Sequence, residues 1–251
     1  MYTLKKSLGQ HFLKDENICR KIVEELRDRP FSQLLEVGPG GGALTKYLID
    51  IPDITFRAVE LDREKVDFLL KTYPSLQDRI LEGSILEIPV PFTGPFTVVG
   101  NFPYNISTQI LFRILEWKDQ VEAVIGMFQK EVAQRVAASE GSKVYGVTSV
   151  LVQTFFRVEY LFDVHENAFQ PPPKVKSGVI RMVPRTDIPP LASDKRLFRL
   201  VKAAFNQRRK TLRNAVKDCF EKEKLADPIF DRRAEQLTVE EFAALTFQMK
   251  D

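Results

Sequence analysis

The 251-residue chain is poor in the side chains that signal metal or disulfide chemistry: it has two cysteines, Cys19 and Cys219, two histidines, His11 and His165, and one tryptophan. These lie far apart, with no C-x-x-C or similar ligand spacing, which argues against a disulfide framework or a zinc site. No stretch approaches the roughly 18 uncharged apolar residues of a membrane span. The first 13 residues lack the apolar run and cleavage site of a signal peptide, so the expected address is the cytoplasm, with no membrane partner. Charge of one sign is also scarce in the whole chain, because 37 Lys and Arg against 34 Asp and Glu leave only +3. Against these absences, 44% of residues are hydrophobic and 28% charged, a globular composition that excludes disorder as the main state. The length suits one α/β domain with a smaller appendage.

The charge is unevenly distributed. Lys195, Arg196, Arg199, Lys202, Arg208, Arg209, Lys210, Arg213 and Lys217 follow one another without an intervening Asp or Glu. Such a run attracts phosphate through Coulomb forces and counterion release and points to nucleic acid. A solvated helix face is the plainer alternative.

Apolar β-rich runs at 33–37, 55–60, 79–82, 96–100 and 121–129 alternate with amphipathic stretches at 43–49, 64–71 and 108–116. This alternation predicts a parallel sheet built from βαβ units. Two further runs, 157–162 and 178–183, flank the prolines at 171–173 and are expected to complete a seven-stranded sheet with one reversed strand. After Pro184 the apolar residues Phe198, Val201, Phe205, Leu212 and Val216 take helical spacing, and 237–247 reads as another helix. The expected organisation is an α/β, Rossmann-like domain over 1–184 and a small, basic helical domain over 185–251.

Glu36-Val-Gly38-Pro-Gly40-Gly-Gly-Ala43 follows the first strand and opens a helix. Glycines there permit a tight turn and let a ligand approach the amides of the helix N-terminus. The loop also satisfies the dinucleotide pattern G-x-G-x-x-G/A, and Glu60, ending the second strand, could hold ribose hydroxyls of either cofactor type. The acidic Glu36 immediately before the loop favours S-adenosylmethionine (SAM) over NAD.

Asn101-Phe102-Pro103-Tyr104 directly follows the fourth strand, where a doubly wound sheet opens its crevice. An exocyclic adenine amine is a poor nucleophile because its lone pair is delocalised into the ring. Two acceptors taking its hydrogens favour the pyramidal form and aim the lone pair at a methyl donor. The Asn101 side-chain oxygen and the Phe102 carbonyl are suited to this, with Pro103 stiffening the turn. Tyr104 offers a face on which a flipped base can stack. An ordinary Asn-Pro turn is the structural alternative.

With these residues in place the chain resembles the ribosomal RNA adenine dimethyltransferases, from about Leu8 to Asn214. The matching blocks are Leu8-Gly-Gln10-His11-Phe-Leu13, Glu36-Val-Gly-Pro-Gly40, Glu60-Leu61-Asp62, Asn101 to Thr108, Gln129-Lys-Glu-Val-Ala133, Phe169-Gln-Pro-Pro-Pro-Lys-Val175 and Phe205-Asn-Gln-Arg208-Arg209-Lys210-Thr-Leu212. The resemblance implies that Gln10, His11 and Leu13 close over the methionine part of SAM. It also implies that Gly38 and Gly40 lie against the cofactor, that Glu60 holds its ribose with Leu61 beside it, and that Ser84 and Ile85 flank its adenine. Phe169 is expected on the second face of the target base, although a core phenylalanine is the alternative. Many relatives have Asn where this chain has His11.

Ser84 stands where the family pattern has Asp, which predicts weaker SAM binding unless Glu82 or Glu87 compensates. The implied activity is SAM-dependent dimethylation of adenine N6 in 16S rRNA of the small ribosomal subunit or its precursor, by a monomer that grips RNA through Lys202, Arg208, Arg209, Lys210 and Arg213. A 23S rRNA methylase of the antibiotic-resistance type, a non-catalytic assembly factor and an NAD-dependent oxidoreductase are the competing readings.

Overall fold

The computed structural model describes residues 11–250. Seven strands form the main sheet: β1 (Gln33–Val37), β2 (Thr55–Glu60), β3 (Ile80–Glu82), β4 (Phe96–Asn101), β5 (Val121–Gln129), β6 (Phe156–Val164) and β7 (Ser177–Pro184). Their spatial order is β3-β2-β1-β4-β5-β7-β6. The first five pair in parallel, whereas β7 runs antiparallel to β5 and is inserted between β5 and β6. The Rossmann-like α/β class and the reversed strand read from the sequence are thus both present.

Consecutive residues of β1 and β4 are buried, among them Leu34, Leu35, Val98 and Val99. Neighbouring side chains on a strand point to opposite faces, so both faces of the sheet are covered. This is why the strands read as unbroken apolar runs. The helices α1 (Glu16–Glu24), α2 (Thr45–Leu48), α3 (Arg63–Thr72) and α4 (Ser107–Glu116) accompany them. Side chains cap two of these: Asp15 accepts from the main-chain N–H groups of Asn17 and Ile18, and Asp62 from that of Glu64. Outside the sheet, Phe12–Leu13 pairs antiparallel with Phe169–Gln170.

Contacts divide the chain differently from a single boundary after residue 184. One unit comprises the chain up to Ala133 together with Glu159–Pro184, and the other comprises Gln134–Val158 with the chain from Arg185 onward. The remaining helices are α5 (Lys130–Val136), α6 (Val147–Phe155), α7 (Asp194–Asn206), α8 (Leu212–Ala215) and α9 (Val239–Leu245). Segment 134–158 was expected in the first domain, but α6 packs on α7 and α9. Almost every residue of α6 is buried. A helix that is apolar all round needs cover on every side, and its own sequence does not say which helices supply it.

Candidate active site

The spatial order of the strands sets out the site, because β3, β2, β1 and β4 present their carboxyl ends side by side. Ser84 follows β3, Glu60 ends β2, Gly38 and Gly40 follow β1, and Asn101 ends β4. All five line one cleft with a volume of about 190 Å³, as do His11, Leu13, Glu36, Leu61, Ile85, Phe102, Pro103 and Tyr104. Gln10 lies outside the described residues.

Glu60 fixes the glycine loop. One of its carboxylate oxygens accepts from the Gly40 N–H at 3.0 Å and the other from the Asp62 N–H at 2.9 Å. Gly40 has φ +56°, and a Cβ on it would come within 3.1 Å of the Phe12 ring. Glycine is therefore required there both for backbone conformation and for space. Glu36 is buried and accepts from Thr45 Oγ1 at 2.8 Å. Burial pushes its carboxyl up to about 8, and the nearby Glu60 adds to the rise while the Thr45 hydrogen bonds oppose it.

The Asn101–Tyr104 segment is anchored from beneath and from both sides. The Phe102 N–H donates to the Met127 carbonyl at 3.1 Å, and the Phe102 ring meets that of Phe128 edge-on at 4.9 Å. A Cβ at Gly126 would come within 2.6 Å of both rings, so this glycine provides the seat for Phe102. Asn101 Nδ2 donates to the main-chain carbonyl of His11 at 3.0 Å. A carbonyl only accepts, so this contact orients the amide and leaves Oδ1 as an acceptor.

Tyr104 is held through its hydroxyl, which hydrogen-bonds the buried Ser177 at the start of β7. Burial raises its phenol above the usual range. The His11 ring lies 5.5 Å from the Tyr104 ring, and His11 Nδ1 is 3.0 Å from the Pro171 carbonyl. Because that carbonyl can only accept, Nδ1 carries the proton. His11 is thus engaged through both its backbone carbonyl and its ring nitrogen.

Two further readings concern residues that lie off the cleft. Phe169 has none of its surface exposed and belongs to the hydrophobic core, on the strand paired with Phe12–Leu13. It does not line the cleft, so the core alternative describes its position. Neither Glu82 nor Glu87 lines the cleft beside Ser84, and Glu82 pairs with Arg63 at 2.8 Å. Ser84 Oγ instead accepts from the Leu86 N–H at 3.2 Å, an ordinary local turn contact.

Sequence reasoning missed Lys65. It is 1% exposed, lines the cleft, lies 3.8 Å from Asp62 Oδ2 and stands 4.8 Å above the Phe12 ring. The signal was present: Lys65, Val66 and Leu69 are the buried residues of α3, and their spacing puts Lys65 on the apolar face.

These residues fit SAM. Two buried carboxylates suit a cationic ligand that carries ribose hydroxyls. Leu61, left 55% exposed, and the buried Ile85 offer an apolar slot for a flat ring. The glycine loop supplies backbone that no side chain obstructs.

The basic residues of the C-terminal unit are less uniform than their run suggests. Lys202 projects from α7, and Arg209 and Lys210 occupy the exposed turn after it. Arg213 pairs with Asp231 at 2.8 Å, and the Arg208 guanidinium donates to the Lys143 carbonyl.

The comparisons with known proteins agree with this geometry. Residues 1–249 match the family model described as ribosomal RNA adenine dimethylase. The chain is 51% identical over 246 residues to "Ribosomal RNA small subunit methyltransferase A" of Flavobacterium johnsoniae, covering 96% of this chain and 94% of that one. It is 49% identical over 248 residues to the protein of the same description from Cytophaga hutchinsonii, covering 96% and 95%.

Among solved structures, a dimethyladenosine transferase from Plasmodium falciparum aligns with a TM-score of 0.76 at 22% identity over 92% of this chain and 94% of that one. The 23S rRNA methyltransferase ErmE aligns with a TM-score of 0.69 at 23% identity, covering 93% and 99%. At these identities the two structures speak to the fold alone. The match over almost the whole length and the half-identical relatives, on top of a cleft built around Asn101, the glycine loop and Glu60, place this chain in the ribosomal RNA adenine dimethylase family.

Proposed function

We propose that this protein transfers methyl groups from SAM to the N6 amine of adjacent adenosines in 16S rRNA of the small ribosomal subunit or its precursor, in the cytoplasm, acting as a monomer. The observation that carries this reading is the orientation of Asn101. Its amide is turned by the His11 carbonyl so that Oδ1 remains an acceptor on the cleft that the glycine loop and Glu60 also line. SAM, when bound, supplies an electrophilic methyl group. Glu60 and the glycine loop would hold its ribose, Leu61 and Ile85 its adenine, and Glu36 with the Gln10–Leu13 strap its methionine end.

The chain's own residues then act on the nucleobase. Asn101 Oδ1 and the Phe102 carbonyl accept the two N6 hydrogens, which localises the nitrogen lone pair. The rigid Phe102 seat keeps these acceptors in place, so no reorganisation is needed during the reaction. Tyr104, fixed by Ser177 and flanked by His11, offers its ring to the extruded base. No strong general base is required, because the amine becomes acidic once methylated and can release its proton to water. The helical unit, with its basic run, would hold RNA phosphates while the sheet unit holds the base.

Mass spectrometry of nucleosides tests this directly, using undermethylated small subunits incubated with the protein and SAM. The expected product is N6,N6-dimethyladenosine in small-subunit rRNA, with large subunits unmodified. Unmodified small subunits, or modified large ones, would reject the proposal.

A further inference from the structure

Ion pairing sorts the cations of the C-terminal unit into two groups. Arg213 is neutralised by Asp231. Arg209 and Lys210 are exposed, and among the described residues no carboxylate lies within ion-pair distance of either. Lys143, in the loop between α5 and α6, shares that condition: it is exposed and has no carboxylate partner among the described residues. The loop's acidic residue, Glu140, is three positions earlier and does not pair with it.

This loop is fastened to the C-terminal unit at three points, two of them on the basic segment. The Gly141 N–H donates to the Glu235 carbonyl at 2.7 Å. The buried Tyr145 ring meets Phe205, just before the basic turn, edge-on at 6.1 Å. Between them, the Arg208 guanidinium grips the main-chain carbonyl of Lys143 itself. The fold therefore fixes the main chain of Lys143 to the Arg208 guanidinium, which brings two cationic residues together. Like charges held close repel, and a polyanion relieves that repulsion.

We propose that Lys143 is a phosphate-binding residue and that the RNA surface has two parts, the 139–146 loop and the turn carrying Arg209 and Lys210. Arg208 is the positioning residue that joins them. The proposal rests on the rRNA-modifying reading above and adds a surface element to it.

The test is equilibrium binding of undermethylated small subunits to the full-length protein at several salt concentrations. Each lost phosphate contact lowers the slope of log K against log salt by roughly 0.7–0.9. Lys143→Gln is expected to lower the slope by about that amount and to weaken binding several-fold, as Lys210→Gln does. Lys71→Gln, on the exposed face of α3, controls for general charge loss and is expected to leave the slope unchanged. Arg208→Gln is expected to lower the slope by more than one contact, and adding Lys143→Gln to it is expected to change little further. That non-additivity reports positioning, because independent phosphate contacts add.

A Lys143→Gln slope equal to that of Lys71→Gln, with Lys210→Gln still impaired, would overturn the two-part surface while leaving the function intact. Full additivity of the Arg208 and Lys143 changes would overturn the positioning role. Wild-type protein that fails to bind small subunits would instead bring down the functional reading, and this proposal with it.

Discussion

Glu36 carries the sharpest quantitative expectation. Its carboxyl is held up to about 8 by burial, against an ordinary value of 4.5. Between those values the folded chain keeps a proton that the unfolded chain has lost. The stabilisation is therefore fully present below pH 4.5, declines as pH rises, and is lost once the folded group ionises near pH 8. At about 1.36 kcal/mol per pH unit, the interval corresponds to on the order of 5 kcal/mol. Glu36→Gln preserves shape and the acceptor for Thr45 Oγ1 but cannot ionise.

The variant is expected to match wild type near pH 4.5 and to exceed its stability increasingly up to pH 9, by an amount approaching that figure. Urea unfolding of both proteins at pH 5, 7 and 9 measures this, and the difference cancels every other titrating group. SAM, as a cation, favours the ionised carboxylate, so wild-type affinity for SAM is expected to climb through pH 8, whereas that of the variant stays nearly flat. A stability difference that does not change with pH, or one that favours wild type at pH 9, would refute the assignment of a buried neutral acid.

Asn101→Ala removes the oriented acceptor, and kcat is expected to fall roughly a hundredfold or more. SAM binding by calorimetry should change far less, and an equal loss in both would contradict the assigned role. Ser84→Asp restores a charged acceptor at the end of the cleft, and tighter SAM binding by about 1 kcal/mol, or roughly fivefold, is expected in the same calorimeter. Gly126→Ala places a methyl group against the Phe102 and Phe128 rings and is expected to destabilise the protein by about 1–3 kcal/mol in urea titrations. Its turnover, measured where the variant remains fully folded, should also fall because the seat of the Asn101–Tyr104 segment moves.

Much of the fold was legible because the central strands β1 and β4 are buried on both faces, and β2 and β4 end in Glu60 and Asn101. The glycines after β1, Glu60 and the Asn101–Tyr104 segment are therefore visible without any partner. What stayed hidden depends on contacts distant in sequence. Segment 134–158 looks like more of the sheet domain until α6 is seen against α7 and α9. Phe169 can stack on a base or fill a core with equal chemical sense, and only its pairing opposite Leu13 decides. Lys65 went unnoticed because a lysine normally marks the solvent side, and its burial depends on Asp62 and Phe12. Ser177 gave no local sign that it would receive the Tyr104 hydroxyl.

The placement of β7 bears on how the protein is made. It is the last strand to be synthesised, yet it lies in the interior of the sheet, and its first residue supplies the hydroxyl that steadies Tyr104. A nascent polypeptide can assemble the glycine loop, Glu60 and the Asn101 strand end well before Ser177 leaves the exit tunnel. The segment that holds Phe12–Leu13 and the hydroxyl that steadies Tyr104 both arrive within the last stretch of the sheet unit, so the two ends of the cleft close late and nearly together.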